Sequence, residues 1–235
     1  MNLLSKKKRE LIYAIFSSIY FNFHYLPFRQ AILLPILLYK PCYLRLKGRV
    51  IINADNISFG MIRLGFNMVS LYPSTGIVWE NHGGNCIFYG HCYIGNASAI
   101  SIGKTGIVSF GKDFTATAAF KLASYYNIEF KDNVLVGWEN TFIDTDFHQL
   151  KSIVGENLKS YASIRIGCNN WFAFKSIILK GTETPDHCIV GANSLLNKKY
   201  EIPKYSLLGG NPAKLLKTGI IRKQGDDIIK YSIIR

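Results

Sequence analysis

The stretch IRIGCNNWFAFKSIILKGTETPDHCIVGANSLL, residues 164–196, repeats its character every six residues. One row of positions is apolar at every step but one, and a second row, four residues further on, is small or polar throughout. The first row is Ile166, Phe172, Ile178, Thr184, Val190 and Leu196. The second row is Asn170, Ser176, Thr182, Cys188 and Ser194. A fixed period of this kind indicates a chain that stacks on itself.

The same period continues upstream of residue 164. Its members there are Phe130, Val136 and Phe142 in one row and Leu122, Ile128 and Val134 in another. Six residues suffice for one short strand and a corner, where we expect Gly or Asn, and stacked coils of three such units bury a continuous core. We therefore predict an all-β protein built as a parallel β-helix. The alternative, a β-sandwich, would alternate at a period of two.

One polar stretch, FIDTDFHQL at residues 142–150, interrupts the repeat. Phe142 and Ile166 are 24 residues apart, which is four units of six, so the phase survives while the pattern between them is lost. We predict that residues 143–163 leave the stack as a projecting loop. Loops on a rigid scaffold are common places for functional residues.

The repeats divide the chain into three parts. We assign a basic and apolar segment to residues 1–44, the β-helix domain to residues 45–217 and a tail to residues 218–235. Residues 11–28 carry no formal charge, and Leu11, Ile15, Ile19 and Phe23 recur at helical spacing before Pro27. Three interpretations stay open: a helix packed on the domain, a helix at a membrane surface, and a membrane span.

The charge is strongly positive and unevenly distributed. The chain has 28 Lys and Arg against 15 Asp and Glu, and the first 50 residues contain nine basic residues with Glu10 as the only acid. Such a segment suits an anionic membrane surface or an acidic ligand. No nucleic-acid-binding motif accompanies it, so we expect no nucleic acid partner.

Five cysteines without a CxxC pair indicate reduced thiols in a cytoplasmic protein, which can contact the inner membrane through its N-terminus.

The C-terminal repeats carry a family resemblance. IGCNNW at 166–171, VGANS at 190–194 and GNPAK at 210–214 follow one another as in the hexapeptide-repeat acyltransferases, which this chain resembles. The resemblance implies a left-handed β-helix, a homotrimer, and acetyl-coenzyme A, without a metal, in a groove between neighbouring subunits. WFAF at 171–174 departs from the family pattern, because Phe174 replaces a small residue.

Within that superfamily, VLVGWENTFIDTDFHQL at 134–150 is similar to sugar and polysaccharide O-acetyltransferases. Residues 25–40, YLPFRQAILLPILLYK, are similar to a branch associated with bacterial surface-glycan synthesis such as capsule or O-antigen. The resemblance implies a glycan or sugar acceptor. The DxDxH segment of these enzymes supplies the catalytic histidine, which corresponds to His148 here.

The chemistry of acetyl transfer agrees with that assignment. A neutral imidazole can take the proton of the attacking hydroxyl near pH 7, and a carboxylate on its far nitrogen fixes the tautomer. His148 is the candidate base, and Asp144 or Asp146, with Glu139 as a third possibility, the candidate acid. The developing oxyanion needs a backbone N–H donor, which we expect near Trp171 and Ala173.

The resemblance also suggests which residues meet coenzyme A. Lys180, Lys198 and Lys214 are candidates for its phosphates, and Asn211 and Pro212 shape the turn of the same GNPAK segment. Each lysine can also be an ordinary surface residue.

Three other functions compete with this one. A zinc-dependent carbonic anhydrase of the same fold class needs histidines at one level of the stack, and His82 and His91 lie far from His148 in sequence. A noncatalytic scaffold would keep the repeats while Phe174 closes the donor groove. An acetyltransferase can also act on a small soluble acceptor.

Overall fold

A computed structural model describes residues 3–222, with side chains from residue 10 onward. Residues 223–235 of the predicted tail, and the side chains of the basic run at residues 6–9, lie outside the described part. The described chain has two helices, α1 (Leu3–Tyr25) and α2 (Phe28–Ala31). Its strands, in chain order, are β1 (Ile36–Leu38), β2 (Pro41–Leu46), β3 (Arg49–Ile52), β4 (Ile62–Phe66), β5 (Ile77–Asn81), β6 (Asn85–Phe88), β7 (Cys92–Gly95), β8 (Ser98–Ile102), β9 (Ile107–Phe110), β10 (Phe114–Ala116), β11 (Lys121–Ser124), β12 (Asn127–Phe130), β13 (Leu135–Val136), β14 (Thr141–Ile143), β15 (Ile164–Ile166), β16 (Trp171–Phe172), β17 (Ile177–Leu179), β18 (Glu183–Thr184), β19 (Ile189–Val190), β20 (Leu195–Leu196), β21 (Ser206–Gly209) and β22 (Lys214–Thr218).

The strands form three sheets. From β1 to β20, successive strands go to sheets A, B and C in turn, and β21 and β22 both belong to sheet A. Sheet A has the order β1-β4-β7-β10-β13-β16-β19-β21-β22, sheet B the order β2-β5-β8-β11-β14-β17-β20, and sheet C the order β3-β6-β9-β12-β15-β18. All pairings are parallel except that of β21 with β22. Three consecutive strands therefore make one coil, as the period of six predicts.

The two rows of the repeat occupy different places inside the coils. The whole apolar row from Ile166 to Leu196 is buried, including Thr184. The small polar row is buried as well, and all its members except Cys188 donate side-chain hydrogen bonds to corner carbonyl groups. Ser176 Oγ donates to Gly191 O at 3.1 Å and accepts from Ser194 N at 3.2 Å, which links two successive coils. A larger residue at these positions would not fit inside the corner.

The corners differ in part from the sequence expectation. The residue before one corner, Gly137, must be glycine, because a Cβ there would lie 2.4 Å from the carbonyl oxygen of Ala173 on the next coil. Of the described residues with a left-handed backbone conformation, twelve are Gly or Asn and ten are other residues, among them Ala119, Glu139 and Lys175. The neighbouring coils hold these positions in place, so the conformation is set by stacking more than by the local residue.

The N-terminal segment is partly incorporated in the stack. Helix α1 ends before Pro27, and sheets A and B begin at Ile36 and Pro41, so the predicted boundary at residue 44 falls inside β2. These first strands lack the six-residue phase because they connect to α1 and α2 on one side and not to a preceding coil. No helix in residues 3–222 has the length and sustained hydropathy that a membrane crossing requires.

Candidate active site

The residues of FIDTDFHQL begin an arm that leaves the stack between β14 and β15. The strands on either side keep register with their neighbours, since Phe142 pairs with Ile178 and Phe130 with Ile166. Thr145 bridges Tyr161 and Lys151 bridges Asn157, both antiparallel, so residues 144–163 form a two-stranded arm. We call these residues the arm.

Asp144 lies at the base of the arm and is fully buried. Its carboxylate accepts hydrogen bonds from the backbone N–H groups of Tyr125 and Tyr126 at 2.8 and 2.9 Å, and from the hydroxyl of Ser124 at 3.3 Å. Burial raises the pKa of Asp144, and the hydrogen bonds oppose that rise. All these donors belong to the corner between β11 and β12, so Asp144 fixes the arm to the preceding coil.

Asp146 lies on the outgoing strand of the arm and forms an ion pair with Lys180. Its Oδ2 accepts from Lys180 Nζ, which also donates to the carbonyl oxygen of Lys159 on the returning strand at 3.0 Å. Lys180, a residue expected to meet coenzyme A, therefore holds both strands of the arm. Within the described residues Asp146 Oδ1 accepts no hydrogen bond.

His148 is exposed at the start of the arm, and no hydrogen bond or ion pair reaches it from residues 10–222. The preceding residue, Phe147, has a backbone φ of 60°, which is unusual for an aromatic residue. The ring of Phe147 contacts the ring of Tyr125 edge-on with centroids 4.8 Å apart. This contact keeps His148 beside the corner that Asp144 binds, with its imidazole open to a ligand.

A groove of about 640 Å³ opens beside the base of the arm. Its lining includes Tyr125, Tyr126, Asn127, Tyr161 and Arg165. The rings of Tyr126 and Tyr161 lie 4.8 Å apart, and both residues are more than two-fifths exposed. Tyrosines of this kind offer a flat apolar face and a hydroxyl group, a combination that suits the faces and hydroxyls of sugars.

Of the donor-side candidates, Trp171 begins β16 in sheet A, and Ala173 lies after β16 at the corner between sheets A and B. Their backbone N–H groups donate to Cys188 O and Val190 O at 2.9 and 2.8 Å, so the stack uses both. The backbone N–H of Phe174 forms no hydrogen bond within the described chain, and its side chain is exposed. Phe174 N–H is thus the free donor at this corner, one position beyond the two that the sequence indicated.

The remaining candidates lie toward the C-terminal end of the stack. Asn211, Pro212 and Lys214 are exposed in and after the turn between β21 and β22, and the Asn211–Pro212 peptide is cis. Lys198 follows β20, with its ammonium group 5.7 Å from the ring centroid of Tyr200.

Within one chain these candidates do not form a single cluster. The corner between sheets B and C carries Asp144, Asp146, His148, Lys180 and Lys198, whereas Ala173 lies at the corner between sheets A and B and Lys214 on sheet A. Glu139 also lies at the A/B corner, where its carboxylate accepts a 2.7 Å hydrogen bond from Tyr72. The width of sheet B separates the two groups.

The sequence reasoning missed a polar chain that leads toward the groove. Glu80 lies 3.0 Å from His82 and accepts a 2.6 Å hydrogen bond from Ser101, whose hydroxyl is 3.2 Å from that of Tyr125. The hydrogen bond from Ser101 lowers the pKa of Glu80. The sequence shows that Glu80 and His82 are two residues apart, but only the register of β5 with β8 brings Ser101 to Glu80.

Histidines and acids do not gather into a metal site in the described part of the chain, where no three His, Cys, Asp or Glu side chains lie together as ligands would. His91 is exposed, and the ring of His187 stacks on that of Tyr205 at 4.5 Å.

Two curated proteins are similar to this chain in sequence. No family model matches the chain. The probable acetyltransferase Rv3034c of Mycobacterium tuberculosis is 27% identical over 128 residues, which are 53% of this chain and 41% of the relative. The galactoside O-acetyltransferase of Escherichia coli is 25% identical over 111 residues, which are 47% of this chain and 53% of the relative. The matches thus span about half, or less, of the curated relatives.

A solved structure has the same fold. The polySia-specific acetyltransferase NeuO aligns with a TM-score of 0.54 at 16% identity, over 80% of this chain and 91% of that one. The parallel β-helix predicted from the repeats and the left-handed turn that the family resemblance implies are therefore confirmed. The predicted resemblance to the hexapeptide-repeat acyltransferases is also confirmed, since the curated relatives carry acetyltransferase names.

Proposed function

We propose that this protein transfers an acetyl group from acetyl-coenzyme A to a hydroxyl group of a sugar, in the synthesis of a bacterial surface polysaccharide such as capsule or O-antigen. The observation that carries the proposal is the exposed His148, which forms no hydrogen bond or ion pair with the described residues, on an arm whose base borders a groove lined by three tyrosines. The names of the two curated relatives, both acetyltransferases, support the acetyl group.

The proposed reaction needs one base and one oxyanion donor. The sugar oxygen attacks the thioester carbonyl carbon while its proton passes to His148, and a C–O bond forms. The tetrahedral intermediate then collapses with cleavage of the C–S bond, and the imidazolium returns the proton to the thiolate of coenzyme A. Asp146 Oδ1, left unused by Lys180, is the acid that would orient His148. Asp144 is committed to the stack and holds the arm.

The active enzyme in this proposal is a homotrimer. The candidate residues lie at two corners separated by sheet B, and packing of like chains side by side can bring the B/C corner of one copy to the A/B corner of the next. Phe174 N–H of one copy would then face His148 of another and serve the oxyanion, while Trp171, Lys198, Lys214 and the Asn211–Pro212 turn would border coenzyme A.

The arm supports the same assembly. Ile153 and Val154 at its tip are almost fully exposed, an unfavourable state for two consecutive apolar residues in an isolated chain. A neighbouring copy would cover them. We place the trimer in the cytoplasm at the inner membrane, where lipid-linked glycan acceptors are assembled.

The test is an acetyl-transfer assay with radiolabelled acetyl-coenzyme A and isolated bacterial surface glycans. We expect His148→Ala to lower kcat by about a hundred- to ten-thousand-fold with the oligomeric state unchanged. His91→Ala, the removal of another exposed histidine, is the matched control and should retain activity.

The assay also separates the competing functions. Transfer to free sugars with none to glycans would favour the small-acceptor enzyme. Calorimetry without any binding of acetyl-coenzyme A would favour the scaffold, and near-normal turnover by His148→Ala would reject His148 as the base.

A further inference from the structure

Helix α1 packs on the stack with polar side chains directed inward. Asn22 Nδ2 donates to the carbonyl oxygen of Ile36 at 2.6 Å, and Asn22 Oδ1 accepts from Ile36 N at 3.2 Å. Ser18 Oγ accepts from the backbone N–H of Leu38 at 2.7 Å, and Ser17 Oγ donates to Leu38 O. Strand β1 is the first strand of sheet A, so these side chains satisfy backbone groups that a preceding coil would otherwise pair.

This packing leaves a continuous apolar face of the helix outward. Six large side chains that are 41–73% exposed share one side of α1, within about 120° of arc at 3.6 residues per turn. They are Ile12, Tyr13, Phe16, Ile19, Tyr20 and Phe23. The ring of Phe23 lies 6.0 Å from that of Phe28 on α2, and Ile32 and Leu33 extend the apolar surface. We call this surface the outer face.

The i+4 row that the sequence indicated does not define the buried side. Each step of four residues advances by about 40° around a helix, so a row of four drifts from one side to another. Leu11 and Ile15 are accordingly half-buried, whereas Ile19 and Phe23 are exposed.

The first 50 residues, which include the outer face, contain nine basic residues and a single acid. Four basic residues occupy positions 6–9 of the same helix, and Arg29 is exposed beside Phe28. Arg45 and Lys47 are exposed next to the end of α1, where Tyr25 donates a 3.1 Å hydrogen bond to Lys47 O. The only acid of the first 50 residues, Glu10, is buried and accepts from Asn67.

We infer that the outer face docks on an anionic lipid bilayer, with α1 lying in the plane of the interface. Tyr and Phe side chains partition into that region, and basic residues beside them attract acidic headgroups. A second copy of this chain is a poorer occupant, because it would bring one basic N-terminal segment, whose single acid Glu10 is buried, against another. The inward hydrogen bonds of Ser18 and Asn22 explain how a helix with polar residues can present an apolar surface.

The position of the outer face would suit the proposed acetyl transfer to a lipid-linked glycan. This link alone rests on the proposed function. Because α1 covers the first strand of sheet A, a trimer with its axis along the stack would present three outer faces at one end, which multiplies the affinity. Strand β14, which precedes the arm, is four strands from β2 in sheet B. At about 4.8 Å per strand this is about 19 Å, a distance suited to a sugar carried several units from its lipid.

The experiment is sedimentation of the full-length protein with vesicles of phosphatidylcholine alone or mixed with phosphatidylglycerol. We expect binding to the mixed vesicles, weakened by salt, and little binding to the neutral ones. The double substitution Phe16→Ser and Phe23→Ser should weaken binding by about ten-fold or more. Tyr89→Ser, away from the outer face and from the arm, is the control for loss of an exposed aromatic side chain and should bind like the unchanged protein.

Circular dichroism and acetyl transfer to a soluble acceptor accompany the sedimentation. Both should be unaffected in the Phe16→Ser, Phe23→Ser variant, which separates the two proposals: loss of vesicle binding with retained transfer supports the docking surface. Failure of the unchanged protein to bind mixed vesicles at low salt would overturn the inference. So would equal binding by the double variant, or a smaller oligomer in that variant, which would make the outer face an interface between copies.

Discussion

The ammonium group of Lys180 forms an ion pair with the carboxylate of Asp146, and the same ammonium donates to the carbonyl oxygen of Lys159. One side chain from the coil after the arm thereby joins both strands of the arm at its base. The position of His148, two residues from Asp146, depends on this junction. Lys180 and Asp146 are each about 30% exposed, so the pair positions the arm more than it stabilises the fold.

We expect Lys180→Met to loosen the arm without unfolding the stack. Limited proteolysis should cut within residues 144–163 several-fold faster, while the thermal midpoint changes little. Asp146→Asn should have a similar effect, and the double variant should be no worse than either single one, because both remove the same contact. Lys204→Met, which removes the exposed pair of Lys204 with Asp186, is the control. Additive effects of the two arm substitutions would show that the contact is not shared.

Removal of the Asp144 carboxylate should destabilise the fold. In Asp144→Ala the N–H groups of Tyr125 and Tyr126 lose their acceptor, and we expect a loss of about 1–3 kcal/mol in the free energy of unfolding. Urea denaturation measures it. Asp113→Ala removes an exposed carboxylate that forms no hydrogen bond or ion pair with the described residues, and should cost less. Equal losses for both variants would argue against the anchoring role of Asp144.

The raised pKa of Asp144 should make the stability of the fold depend on pH. Burial raises the pKa of Asp144 above its ordinary value of 3.8, so the folded state binds this proton more tightly than the unfolded chain. The resulting stability is fully present below pH 3.8 and decreases as the pH rises through the folded pKa. The thermal midpoint of the unchanged protein, relative to Asp144→Asn, should therefore fall over that acid interval and then level off. A relative midpoint that rises over this interval would mean that the pKa is lowered.

The tyrosine groove should govern the affinity for the acceptor. We expect Tyr126→Ala to raise KM for a glycan about ten-fold and to leave KM for acetyl-coenzyme A unchanged, because only the acceptor would contact the ring. Steady-state kinetics with each substrate varied in turn provide the measurement. Tyr89→Ala removes an equally exposed ring away from the groove and should change neither constant. A larger effect on acetyl-coenzyme A would place the donor in this groove.

The apolar tip of the arm should matter for assembly. We expect Ile153→Asp with Val154→Asp to convert the proposed trimer to monomers, because each copy would bury a charge against its neighbour. Sedimentation velocity measures the mass, and Lys151→Asp with Glu156→Lys changes nearby charges as a control. A trimer that persists in the tip variant would leave the sheet faces as the sole interface.

The sequence by itself determined the repeat and nearly all of its burial. A period of six predicted which side chains from Phe130 to Leu196 point inward, and each lies in the core. This succeeds because a coil rests only on its neighbours, so the pattern of one unit is repeated in the next. The phase kept across residues 143–163 likewise located the excursion of the chain.

Only the tertiary structure decided what the polar residues do. Asp144 and Asp146 are the two aspartates of the DxDxH motif, and the sequence does not distinguish their roles. In the structure Asp144 faces the backbone of Tyr125, whereas Asp146 faces Lys180. Ser18 and Asn22 interrupt the apolar sequence of α1, and only their hydrogen bonds to β1 show that they point inward and leave the apolar side outward. A polar side chain takes its role from the donor or acceptor that folding brings to it, often from a coil far away in sequence, and no local pattern records that choice.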